Sequence, residues 1–137
     1  MTSFTCSIVA VHGLNEDSIT AWTDAETGVN WLRDLLPVDL PVARVLLYGY
    51  DGAATSFLCD GYVSVIQKAA EWLVQELYAD RVICARLGKP IIFVCHGLGG
   101  TIVKKSLAYA WTRTAPRVAH LRDHYLATHD TVFRHPA

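Results

Sequence analysis

The sequence predicts an α/β domain: a mainly parallel sheet of about four strands flanked by helices. Three observations carry that prediction. Short β-branched apolar runs alternate with longer segments of helical spacing. The runs from Cys6 to Val11 and from Ile91 to Cys95 are almost wholly apolar, as strands buried on both faces are. Each of those two runs is followed at once by a glycine turn, His12-Gly13 and Gly97 to Gly100.

Each element has its own signal. Cys6 to Val11, ended by His12-Gly13, reads as a buried strand entering a turn. Asn15 to Thr27 is polar and loop-like, with Trp22 as its one large anchor. Val29, Trp31, Leu32, Leu35 and Leu36 recur at helical spacing, and Pro37 is expected to stop that segment. Ala43 to Tyr48 is a second strand, closed by Gly49 and Gly52. Tyr62 to Leu87 is the longest helical pattern. Val65, Ile66, Ala69, Leu73, Leu77, Val82 and Ile83 mark one face, and Lys68, Glu71, Gln75 and Asp80 another. Gly88-Lys89-Pro90 breaks it before the third strand, Ile91 to Cys95. A helix is expected from about Thr101 to Arg113, a shorter one from Pro116 through Tyr125, and a fourth strand at Thr131 to Phe133. Trp31, Trp72 and Trp111 are expected to pack helices on the sheet. No repeat, low-complexity tract or linker divides the 137 residues, so one domain is expected over 1–137.

The topology follows from handedness and adjacency. The strands starting at Cys6 and Ile91 should be neighbours, with Ala43 to Tyr48 outside the first and Thr131 to Phe133 outside the third. The strand order then reverses between His12 and Gly97, where such sheets bind ligands.

Composition narrows the function classes. Hydrophobic residues make up 52% and charged residues 18%. That surplus fits a sheet covered on both faces. It equally fits apolar surface awaiting further sequence or a partner. The net charge of −1 gives no electrostatic footprint for nucleic acid or an anionic membrane. Cys6, Cys59, Cys84 and Cys95 form no C-x-x-C pair, which argues against zinc and redox motifs and fits a reducing, cytoplasmic setting. The first residues do not read as a secretory signal, and no run reaches the roughly 18 apolar residues of a membrane-spanning helix. No cofactor is implied.

The chemistry-bearing stretch is Phe93-Val94-Cys95-His96-Gly97-Leu98-Gly99-Gly100. Strand, tight turn, helix is the layout of a nucleophile elbow, which carries a serine at its centre and small residues two places either side. Gly99 supplies one small neighbour, and Cys95 stands where glycine is usual. Gly97 holds the centre. Glycine tolerates the strained backbone but offers no nucleophile. Across the switch point, His12-Gly13-Leu14 can aim a backbone N–H at a developing oxyanion, with the N–H of Leu98 as second donor. Both donors are main-chain groups, so losing a serine does not remove them.

Together, Val9 to Leu14, Gly28 to Pro37, Tyr48-Gly49-Tyr50-Asp51 and Ile91 to Leu107 resemble one family, over nearly the whole chain and in order. It is the lipase-like, serine-esterase-like α/β-hydrolase domain found at the N-terminus of fungal NOD-like (STAND) receptors and in eukaryotic serine-active-site proteins. The resemblance implies a partial hydrolase-type, three-layer sheet. Its elbow pattern looks like Cys-His-Ser-Leu-Gly-Gly, from which this sequence departs at Gly97. The family's acid and base lie beyond a segment that follows the fourth strand, so 1–137 is expected to be an N-terminal half without them.

Other candidates are weaker. His12 either shapes the turn by packing or lines a pocket, and His96 either packs beside the elbow or lines the site. His120 and His124 could share a helix face as metal ligands do, yet no third ligand is evident and no metal is expected. His129, Asp130 and His135 would fall on the fourth strand and not on the far loops that supply a triad. Ser106 reads as an ordinary helix residue, Cys95 as a core residue, and Lys104-Lys105 as a solvated face.

Two functions are expected from different classes. One is a catalytically degenerate hydrolase-like domain that binds, signals or regulates. The other is a carboxylic-ester hydrolase, or a fragment of one. A small ester or acyl ligand, a protein partner or the missing C-terminal half are the implied partners.

Overall fold

The computed structural model describes residues 4–84, 89–112 and 128–134. Its centre is a parallel sheet. Strand β1 is Cys6–Val11, β2 is Ala43–Tyr48 and β3 is Ile91–His96. A fourth strand, β4 at Thr128–Arg134, adds beyond β3 and gives the order β2-β1-β3-β4. Val9 of β1 lies beside Leu46 on one side and Phe93 on the other. The expected order and switch point are therefore found, and β4 is longer than the three residues expected.

Alternation along the strands sorts the core into two layers. Val9, Val11, Phe93 and Cys95 face helices α3, Tyr62–Ile83, and α4, Leu98–Trp111. Ile66, Leu73 and Leu77 of α3 and Ile102 and Val103 of α4 complete that layer. The opposite layer is smaller. Ala10 packs with Trp22 and Leu32, supported by Trp31, Val45 and Val94. Trp22, on a single 3-10 turn at Thr20–Trp22, meets Trp31 edge-on at 6.2 Å. It is the loop anchor the sequence suggested.

Four expectations need correction. The segment after Val29 does not stop at Pro37. Asn30 caps it by accepting from the Leu32 and Arg33 N–H groups, a π-type turn runs over Trp31–Leu35, and one α turn, α1 at Leu36–Asp39, follows. Pro37 falls in the first turn of α1, where its missing N–H has no intrahelical partner to lose. A short helix α2, Ala54–Asp60, was not expected at all. Helix α4 begins at Leu98, three residues early. Finally, Trp72 and Trp111 do not pack on the sheet: they are 61% and 54% exposed, because each falls off its helix's buried stripe.

At the amino end of the sheet, Arg44 of β2 grips Asp80 of α3 through two nitrogens, at 2.6 and 3.2 Å, and reaches Ser7 Oγ of β1. This ties the outer strand to the helix that covers it. The helix expected at Pro116 to Tyr125, with His120 and His124, lies outside the described residues, as does His135. No described helix is long and apolar enough to cross a membrane.

Candidate functional site

The two glycine turns meet at the carboxyl ends of β1 and β3. Gly97 has φ 54° and ψ −121°. That combination lies outside the left-handed helical well and is strained for any residue with a side chain. It lets β3 reverse into α4 within one residue. A Cβ on Gly97 would meet nothing nearer than Gly13 Cα, at 4.0 Å. Gly97 is thus required by backbone angle, and among the described residues nothing crowds the space over it.

Gly99 is required for the opposite reason. A Cβ there would lie 2.2 Å from the Val11 carbonyl oxygen and 2.6 Å from that of His12. The first turn of α4 rides directly over the end of β1. Gly13 is similar: a Cβ would lie 2.8 Å from the His96 carbonyl oxygen and 2.7 Å from Glu16 Oε1. The two turns are locked together through backbone. Gly100 is buried at the start of α4, its N–H donating to the Gly97 carbonyl.

His12 is fully buried. Its Nδ1 bonds the Gly13 carbonyl at 2.9 Å, and its Nε2 accepts the Tyr50 N–H at 3.3 Å. A nitrogen that accepts carries no proton, so the pattern assigns the Nδ1–H form. The ring stacks on Tyr50 at 4.1 Å, and the Tyr50 hydroxyl donates back to the His12 carbonyl at 2.8 Å. Burial pushes the Tyr50 phenol upward, so it stays a donor. Of the two readings for His12, packing holds and pocket lining does not.

His96 is different. Its side chain is about a quarter exposed, and its Nδ1 is 2.5 Å from Glu16 Oε1. The imidazole beside Gly97 is therefore paired with an acid from the loop after β1. Nothing local in the sequence marked Glu16, which is 80 positions from its partner.

The remaining candidates sort simply. Leu14 is 37% exposed at the rim. Among the described residues, neither its N–H nor that of Leu98 meets an acceptor. Leu14 follows Gly13, whose Cα is the nearest described atom to a Cβ at Gly97, and Leu98 follows Gly97 itself. Cys95 points into the core, and burial pushes its thiol up to about 12, which leaves it un-ionised at neutral pH. Ser106 is buried and donates to the Val103 carbonyl, the bond of a helix residue. His129 and Asp130 fall on β4, as expected. Among the described residues, no three His, Cys, Asp or Glu side chains gather as metal ligands do.

Asn15, Tyr50 and Gly52 were given no role at the site by the sequence reading. Asn15 sits at φ 57°, its N–H donates to the Gly52 carbonyl, and its side chain accepts the Ala54 N–H at the start of α2. Gly52 packs against the Gly13 carbonyl and the His12 ring, where a Cβ would fall at 3.0 and 3.2 Å. The loops after β1 and β2 thus brace the turn that faces Gly97.

No family model, curated protein or solved structure matches this chain.

Proposed function

We propose that this chain is a degenerate α/β-hydrolase-like domain whose elbow binds a carbonyl or carboxylate oxygen and does not acylate. The observation that carries the reading is Gly97: elbow-type backbone angles under free space, with no oxygen to attack from. The N–H groups of Leu14 and Leu98, which meet no acceptor among the described residues, are the donors this reading assigns to a partial negative charge there. The ligand class is a small ester or acyl compound, and the role is binding, signalling or regulation. The resemblance of the motifs around Val9 to Leu14 and Ile91 to Leu107 to lipase-like domains supports the same reading.

A second reading, ester hydrolysis, is favoured by one observation: the Glu16–His96 pair beside Gly97. A carboxylate-oriented imidazole can serve as a base for water without any covalent intermediate.

One assay separates the two. The purified chain is incubated with a short-chain chromogenic ester and with a fluorophosphonate serine probe. The binding reading predicts turnover no higher than the denatured control and no labelling. Turnover that His96→Phe abolishes, still without labelling, would establish the second reading. Turnover with stoichiometric labelling would overturn both.

A further inference from the structure

Among the described residues, the β2 edge of the sheet has no strand partner. Val42 C=O accepts Thr5 N–H on the β1 side at 2.8 Å. Main-chain groups alternate along a strand, so those of Val45 and Leu47 point away from β1. Hollows flank this edge on both faces. One of about 720 Å³ runs past Val45 and Leu47 toward Ile19 and Leu32. Another, of about 270 Å³, lies between Tyr48 and Trp72. β2 also carries none of the devices that keep an edge single: it has no bulge and no proline, and its one charge, Arg44, is consumed by Asp80.

The helix above this edge is patterned as well. Lys68, Trp72 and Glu76 of α3 fall one turn apart and are all exposed. Among the described residues, Lys68 and Glu76 have no ion-pair partner. They stand eight residues apart, about 12 Å along the helix, too far to pair with each other. The stripe is self-complementary in one arrangement only. A second α3 running antiparallel, with the two-fold axis at Trp72, sets each Lys68 opposite a Glu76.

Strand and helix share that axis. The Tyr48 hydroxyl donates to the Ala69 carbonyl, and Tyr48 and Trp72 line the same hollow, so Leu47 and Trp72 sit at about the same height. An antiparallel pairing centred on Leu47 sets Leu47 against itself and Val45 against Gly49, with the outward main-chain groups in register.

We infer that the exposed edge formed by β2 and the Lys68-Trp72-Glu76 stripe of α3 is a dimerisation surface for a second copy of this chain. The two sheets join antiparallel through β2. Trp72 meets Trp72 of the partner subunit, and Lys68 pairs with Glu76 of the partner subunit twice over. Such an interface is isologous and closes at two copies.

Sedimentation velocity over a range of concentrations tests this on the full chain, with circular dichroism to check folding. The wild-type chain is expected to be a dimer that dissociates on dilution. Lys68→Glu or Glu76→Lys alone turns two attractions into two repulsions and should weaken association by about tenfold or more. The double reversal should restore it to within about threefold of wild type. Leu47→Lys should leave monomer, because a charge then sits on the joined edge. A wild-type monomer at every concentration, open-ended aggregates, single reversals without effect, or a double reversal no tighter than the singles would each overturn the inference.

Discussion

The turn after β1 and the turn after β3 face each other, yet they are built on opposite terms. Around the first, side chains fill the space. His12 uses both ring nitrogens and stacks on Tyr50, Asn15 bridges to the next loop, and Gly52 closes against the ring. Around the second, the backbone is held as firmly, by Gly99 against the Val11 carbonyl, but a Cβ at Gly97 would meet no described atom nearer than Gly13 Cα, at 4.0 Å. The contrast is that Gly97 holds an angle only glycine adopts without strain, fixed by the frame around it and not by contacts of its own.

Breaking the lower support should cost most. Gly99→Ala drives a Cβ into two backbone carbonyls that have no side-chain freedom to yield, and is expected to lose about 3–5 kcal/mol or to prevent folding. Chemical denaturation reads this directly. His12→Ala comes next. It empties a buried ring site and leaves the Tyr50 N–H and the Gly13 carbonyl unpaired, for an expected loss of about 2–4 kcal/mol. If the two turns are as interlocked as the Gly13–His96 approach implies, His12→Ala should also speed amide exchange at Leu98.

Gly97→Ser should cost less, about 1–3 kcal/mol, since only the backbone angle resists and the space is free. The same variant is expected to give no efficient ester turnover, because a serine without an aligned acid and base is a poor nucleophile. Typical esterase rates from that single change would contradict the view that the described residues hold no triad. The smallest effect concerns the loop that anchors the first turn. Asp17 accepts from the Thr20 hydroxyl and from the Thr20 and Ile19 N–H groups, which hold its carboxyl down at about 2. A carboxyl lowered on folding stabilises above its ordinary value of 3.8, and that contribution fades as pH falls toward 2. The melting temperature of Asp17→Ala should therefore sit slightly below wild type at pH 6, and the gap should close through that window.

What the sequence made legible followed from local pattern. β2 spans the residues read for it, because Val45 to Tyr48 is an apolar run of its own with a glycine stop at Gly49. The strand order β2-β1-β3-β4 is the one expected. Gly97, Gly99 and Gly13 were singled out from the strand-turn-helix layout, and only distances separate the glycine kept for its angle from the two kept for lack of room. The misses are largely non-local. The start of helix α2 is held partly by Asn15, which lies 39 positions before Ala54, and partly by Asp51, which accepts the Ala53 N–H and the Ser56 hydroxyl just outside the helix. Glu16 sits in a polar loop and gains meaning only from His96. Trp72 looked like core because tryptophan usually is, but the α3 stripe that meets the sheet passes through Leu73 and Leu77 and leaves it outside.

The central claim is that an anion-binding position survives over Gly97 without a nucleophile. Amide chemical shifts of Leu14 and Leu98, followed while a short-chain carboxylate such as butyrate is added, test it most directly. The account predicts that both amides move together and saturate with one dissociation constant, and that no covalent adduct appears by mass. Shifts that leave Leu14 and Leu98 unmoved while other residues respond would contradict it.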